Sequence, residues 1–148
     1  MSIFNSFNIN ASGMTAQRYR MDIISENVAN ATTTRTADGT PYRRKVVTFE
    51  ERGPQVGSFS NVFKSASETY NGSGVRVRKV SEDTWNDMVM AYDPSHPDAD
   101  ENGYVTYPNV NIVTEMTNLI DASRSYEANA TAFNASKSMA VKGLEMAQ

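Results

Sequence analysis

The sequence predicts an α+β fold in which long N- and C-terminal helices form a coiled-coil-like pair around a small β-rich central insert. Three observations carry this reading. A seven-residue apolar repeat runs from Val110 to Leu144 with no proline and no glycine before Gly143. A second repeat of the same period lies between Phe7 and Val28. Between them, Asp38-Gly39-Thr40-Pro41, Gly53-Pro54, Asn71-Gly72-Ser73-Gly74 and the stretch from Asp93-Pro94 to Gly103 cut the chain into short extended pieces. The expected division is residues 1–34 for an N-terminal helix, 35–108 for the insert and 109–148 for the C-terminal helix.

In the N-terminal repeat, Phe7, Met14, Met21 and Val28 share one row, with Ala11, Ile24 and Ala31 near the intermediate positions. Gly13 costs about 1 kcal/mol of helix stability relative to alanine. The side chains of Asn5, Ser6, Asn8, Asn10 and Ser12 compete with the backbone for hydrogen bonds. The spacing therefore predicts a firm helix from Ser12 to Asn30 with a frayed start before it.

Helical character is lost at Ala31-Thr32-Thr33-Thr34. Lys45 to Glu50 and Val75 to Val80 read as strands, the second through the alternation of Val75 and Val77 with Arg76 and Arg78. Phe49, Phe59, Val62, Phe63, Trp85, Val89 and Tyr92 are the expected core of the insert. Asn61 to Tyr70 reads equally as a short helix or a loop.

Asn109, after Tyr107-Pro108, is the expected cap of the last helix. One of its rows is Ile112, Leu119, Tyr126, Phe133 and Ala140; the row four residues on is Met116, Ser123, Ala130, Lys137 and Leu144. Lys137, Lys142 and Gly143 suit the negative, terminating end of the helix dipole. At 1.5 Å per residue such a helix is about 50 Å long.

With 148 residues there is room for one core. A net charge of −3 is unsuited to tracking phosphates, so no nucleic-acid partner is expected. The clusters Arg43-Arg44-Lys45 and Arg76 to Lys79 read as solvated surface. The absence of cysteine excludes disulfides and thiolate metal sites. The N-terminus lacks the basic and apolar regions of a cleaved secretory signal, and no apolar run approaches the length of a membrane span, so no direct membrane insertion is expected.

A search for chemistry finds no catalytic, cofactor or metal site. The single histidine, His96, lies in a proline-flanked acidic turn, and no Gly-x-Ser-x-Gly elbow exists to pair with it. Asp98-Ala99-Asp100-Glu101-Asn102-Gly103 fits the first half of a calcium loop, but the position needing a bidentate glutamate is Asn109. Asn71 to Gly74 lacks the lysine and following helix of a phosphate loop. The tripeptides beginning at Asn10, Asn129 and Asn134 match the glycosylation pattern but fall on predicted helices.

The two stripes either close on each other as a helical hairpin or serve an assembly. Their small and polar members, Ala11, Ser123, Ala130 and Lys137, suit close packing in a crowded bundle. A soluble helical adaptor or chaperone-like binding protein is the alternative reading.

Ser12-Gly13-Met14-Thr15-Ala16-Gln17 through Ser25-Glu26-Asn27-Val28-Ala29-Asn30, with its Asn-x-Ala-Asn followed by threonines, resembles the N-terminal signature of the axial proteins of the bacterial flagellum. Glu115-Met116 and Leu119 through Asn129 resemble the matching C-terminal signature of rod and hook proteins. Pro41-Tyr42-Arg43-Arg44-Lys45, Tyr92 to Asp100, Gly103-Tyr104-Val105 and Pro108-Asn109-Val110-Asn111 are similar to the proximal-rod members of the C type. The likeness is weakest from Gln55 to Asn71. Thr40 stands where the family pattern has a glycine, and Thr117 is polar beside the seam.

The resemblance implies a structural subunit of the rod that crosses the periplasm, exported by the flagellar type III apparatus without signal cleavage. Implied partners are other copies of the chain, other rod proteins, the rod-to-membrane-ring junction protein and the export apparatus. Together with the stripes it places an assembly interface on Phe7, Met14, Met21, Ile24, Asn27, Val28 and Asn30, and on Ile112, Met116, Leu119, Tyr126, Ala130, Phe133 and Leu144.

Overall fold

A computed structural model describes residues 3–52 and 74–146. The order is α1 (Ile3–Ala29), β1 (Lys45–Glu51), β2 (Val75–Glu82), β3 (Val89–Tyr92), β4 (Tyr104–Tyr107) and α2 (Ile112–Glu145). The α+β architecture of two terminal helices around a small β insert is as expected. The insert consists of two two-stranded sheets, β1–β2 and β3–β4. Phe59, Val62, Phe63 and the segment Asn61 to Tyr70 lie outside the described residues.

The expected frayed start of α1 is helical from Ile3. Its hydroxyls do not compete with the helix. Ser12 donates to Ile9 O (2.7 Å), Thr15 to Ala11 O (2.9 Å) and Ser25 to Met21 O (2.9 Å), each folding back along its own turn. Asn30 ends the helix by donating to Glu26 O from both its backbone and its side chain. The turn at Asp38 closes through Gly39 N–H to Thr36 O, with Gly39 at φ 77°.

The chain divides into two compact units. In the first (Met1–Arg18, Phe49–Arg78 and Ser123–Gln148) α1 and α2 run antiparallel: Phe7 meets Phe133 with ring centroids 5.0 Å apart, and Gly13 faces Asn129. A Cβ on Gly13 would lie 2.6 Å from Asn129 Oδ1, so the glycine that weakens the helix also permits this approach. Ser12 Oγ accepts from Val75 N–H at 3.0 Å, tying α1 to the start of β2. Gly74, at φ 94°, has its missing Cβ directed into that hydroxyl.

The second unit (Tyr19–Thr48 and Lys79–Ala122) has a core of Ile24, Tyr42, Val105, Pro108 and Ala122, with Asn27 and Glu115 buried among them. Ala91 pairs with Val105 across β3–β4, and Tyr92 pairs with Tyr104. Three expected core residues are not core. Trp85 is 94%, Val89 57% and Tyr92 67% exposed. A two-stranded ribbon packs one face. Alternation turns Tyr92 and Tyr104 to the other, where their rings meet edge-to-face at 5.3 Å.

Asn109 is not the cap of α2. Its side chain accepts from Arg44 N–H and donates to Asp83 O and Asn86 O, joining three segments of the insert. Asn111 caps instead, its Oδ1 accepting from Thr114 N–H at 3.2 Å. The inward edge of α2 includes Leu119, Phe133 and Ala140 as expected. Its second edge is Glu115, Ala122, Asn129 and Ser136 rather than the row beginning at Met116.

Candidate assembly surface and the polar clasp behind it

In the second unit, Asn27 uses its whole amide. Oδ1 accepts from Lys45 N–H (2.9 Å) and Tyr42 OH (2.8 Å), while Nδ2 donates to Lys45 O (2.9 Å) and Glu115 Oε2 (3.0 Å). It thus pairs with the backbone of β1 as a neighbouring strand would. Glu115 Oε1 accepts from Arg44 Nε (3.0 Å) and Nη2 (2.7 Å), and Arg44 Nη1 reaches Asp83 Oδ2 at 3.3 Å. Each buried charge therefore has a partner, the condition under which burial is tolerated.

Asp83 also accepts from the Asn86 side chain and from the backbone amides of Trp85 and Asn86. The Asn86 amide holds the Asp83 carboxyl below the usual carboxylate range, outweighing the opposing effect of burial, with those backbone amides and Arg44 acting in the same direction. Burial pushes the Tyr42 phenol up to about 12, and the carboxylates of Glu26, Glu115 and Glu82 add to the shift.

The calcium-like sequence is a self-closing turn. Asp100 Oδ1 accepts from Asn102 N–H and Tyr104 N–H, Asp98 accepts from Thr34, and Gly103 sits at φ 80°. His96 Nδ1 accepts from Asp98 N–H, and its ring lies against Tyr107. Among the described residues no group of three or more His, Asp or Glu is placed to hold a metal ion, and no helix is long and apolar enough to cross a membrane.

The residues singled out in the sequence fall into two classes. Asn27 (1% exposed) and Ile24 (5%) lie within the chain's own fold. Phe7, Met14, Met21, Val28, Asn30, Leu119, Ala130 and Phe133 are half-buried, and Phe7 and Phe133 meet as a ring pair. Ile112 (45%), Met116 (55%), Tyr126 (36%) and Leu144 (71%) are exposed. Sequence reasoning missed Val113 and Ile120, which with Met116 form an outward stripe at helical spacing on the start of α2. It also missed the clasp, whose available signal was an acid in the first turn of α2.

From Ser123 to Glu145 no residue of α2 is buried, and Met139 and Leu144 stand open to solvent. Residues 7–35 match the family described as flagella basal body rod protein, and residues 101–146 match the flagellar basal body rod FlgEFG protein C-terminal family. The flagellar basal-body rod protein FlgC of Bacillus subtilis is 46% identical over 150 residues, covering 99% of each chain. That of Borreliella burgdorferi is 43% identical, covering 100% of this chain and 99% of its own.

The chain belongs to the FlgC family of flagellar basal-body rod proteins.

More distant FlgC relatives align just as completely: that of Escherichia coli O157:H7 is 38% identical over the full length of both chains. As a FlgC-family member the chain is a structural subunit of the basal-body rod, assembling with other rod components, and not an enzyme. The family matches fall on the two terminal helices and their flanks.

Proposed function

We propose that this rod subunit polymerises through its terminal helices into the proximal segment of a drive shaft that carries torque across the periplasm. It reaches that position through the flagellar type III apparatus, without signal cleavage. Its contacts there are further copies of itself, other rod proteins and the protein joining the rod to the membrane ring. Ile112, Met116, Tyr126 and Leu144 face neighbouring subunits, while Ile24 and Asn27 hold the fold that presents them. Phe7, Met14, Met21, Val28, Asn30, Leu119, Ala130 and Phe133 take part in both.

The observation that carries this reading is the second half of α2. It is helical over Ser123 to Glu145 without one buried residue, a state that an isolated surface helix sustains poorly in water. Covering one large aliphatic side chain contributes about 1.5–3 kcal/mol, so a few such contacts per copy decide assembly.

The test is Met116→Asp combined with Leu144→Asp. Both side chains are exposed, so the denaturation midpoint of the purified chain stays unchanged while incorporation into basal bodies and swimming are lost. Normal swimming by this double variant would refute the interface.

A further inference from the structure

The two edges of the β3–β4 ribbon are finished differently. Asp93 N–H donates to Gly103 O at 2.9 Å, one step beyond the opposed pair Tyr92 and Tyr104. An antiparallel ladder alternates bonded and unbonded pairs, so Ala91 with Val105 and Val89 with Tyr107 exchange the ladder bonds, whereas Tyr92 with Tyr104 and Met90 with Thr106 do not. The N–H and C=O groups of these last four residues therefore point away from the ribbon. On β4 the preceding turn covers Tyr104: Asp100 N–H donates to Tyr104 O at 2.9 Å, and Tyr104 N–H donates to Asp100 Oδ1 at 2.8 Å. On β3 no described residue bonds to the backbone of Met90 or Tyr92.

An exposed strand edge is ordinarily blunted by lysine, proline or a bulge. β3, Val89-Met90-Ala91-Tyr92, has none of these, and its register runs unbroken through all four pairs. Val89, Met90 and Tyr92 are exposed. Beside Val89 lies an open groove of about 620 Å³ whose walls include Asp87, Val110, Ile112 and Val113. Arg44, also in its wall, is already held by Glu115 and Asp83. Residues 80–122 contain nine aspartates and glutamates and no lysine or arginine. A strand laid along β3, about 4.8 Å away, would therefore meet hydrogen-bonding groups, apolar cover and negative charge together.

We infer that β3 is a docking edge for an extended, basic segment of another protein. The segment adds as a third strand through the N–H and C=O groups of Met90 and Tyr92, with apolar side chains against Val89 and the groove and its lysines or arginines towards Asp87 and Asp93. The backbone selects the shape of this occupant, because a helix has already spent its own N–H and C=O groups and cannot satisfy a strand edge. The acids select its sign. A second copy of β3 would instead bring Asp87 and Asp93 against their own equivalents, and like charges set opposite across strands are destabilising.

Amide exchange on the purified full chain reads the edge directly. In the free chain the Met90 and Tyr92 amides are expected to exchange about tenfold or more faster than those of Ala91 and Asp93, which are bonded across the ribbon. An excess of a peptide alternating valine with lysine is expected to slow Met90 and Tyr92 about fivefold, and the same peptide with glutamate for lysine to leave them unchanged. Met90→Pro removes an outward N–H without touching a ladder bond and is expected to abolish the effect on Tyr92. Met90→Lys keeps the backbone, sets a like charge beside the peptide and is expected to do the same, so it carries the test if the proline variant does not fold. Equal protection along β3 in the free chain, concentration-dependent protection without peptide, equal slowing by both peptides, or no slowing by the basic one overturns the inference. In cells, p-benzoylphenylalanine in place of Tyr92 is expected to crosslink to a segment of a different protein in which apolar residues alternate with lysine or arginine. No crosslink, or one to another copy of this chain or to a helical or acidic segment, overturns it as well.

Discussion

Asn27, in α1, and Glu115, in the first turn of α2, meet through a 3.0 Å hydrogen bond, and each is 1% exposed. The pair joins two helices whose sequence positions are 88 residues apart, in the unit that also buries Tyr42 and Val105. Polar joints of this kind are sensitive to removal of one side. Asn27→Ala leaves Lys45 N–H, Lys45 O and the Tyr42 hydroxyl without their partner and is expected to cost about 3 kcal/mol. Glu115→Ala leaves the Arg44 guanidinium with Asp83 alone and takes an acceptor from Asn27 Nδ2, and is expected to cost about 3 kcal/mol. Urea denaturation midpoints of the purified variants measure both, and a loss below about 1 kcal/mol for either would mean the clasp is marginal.

Tyr42 sets an alkaline limit on stability. Its folded pKa is about 12 against an ordinary phenol value of 10.0, so between those values the folded chain keeps a proton that the unfolded chain has released. Stability is full below pH 10 and falls as pH rises towards 12, by on the order of 2–3 kcal/mol. Tyr42→Phe removes the bond to Asn27 Oδ1, at about 1 kcal/mol near neutral pH, and flattens the alkaline fall. Asp83 acts at the other end. Its folded pKa is lowered, so its contribution is present above the unfolded carboxylate value and lost as pH falls through the folded one. Denaturation midpoints of Asp83→Asn and the native chain should therefore converge at acid pH.

Gly13 tests the helix contact of the other unit. In isolation Gly13→Ala favours the helix by about 1 kcal/mol, but its Cβ would sit 2.6 Å from Asn129 Oδ1 and 2.9 Å from Cγ. The single variant is expected to be destabilised. Gly13→Ala/Asn129→Ala recovers the stability, so a double-mutant cycle gives a coupling above 0.5 kcal/mol if the two helices meet there. Additive effects would place the two residues apart.

The parts of this fold legible in the sequence are those written in apolar periodicity. Leu119, Phe133 and Ala140 belong to one seven-residue repeat and do line the inward edge of α2, although Ile112 and Tyr126 of the same repeat are exposed, while Val75 and Val77 mark β2 by alternation. The illegible parts are polar or short. Glu115 and Asn27 belong to residue types common on the surface of an Asn-rich chain, and only the tertiary structure brings Arg44 and Lys45 to them. Strands β3 and β4 have four residues each, too few for a clear period. Apolarity alone places Trp85 inside, whereas the hydrogen bonds of Asp83 hold its turn at the surface.

The same contrast between well-buried and thinly covered helix leads to a prediction about local opening. Over Ile112 to Ala122, α2 includes the buried Glu115 and Ala122, with Glu115 tied to Asn27, Arg44 and Asn118. Over Ser123 to Glu145 none of its residues is buried. Backbone hydrogen bonds in a helix open with a free energy set by the packing that opening disrupts. In the isolated chain the amides after Ser123 should therefore exchange at least tenfold faster than those between Met116 and Ala122. Assembly should slow the distal amides more than the proximal ones, because the proximal turns are already held in the free chain by the buried Glu115 and Ala122. Hydrogen exchange on the free chain and on isolated basal bodies reads both values; uniform protection of α2 in the free chain would show that its outer half needs no neighbour to be stable.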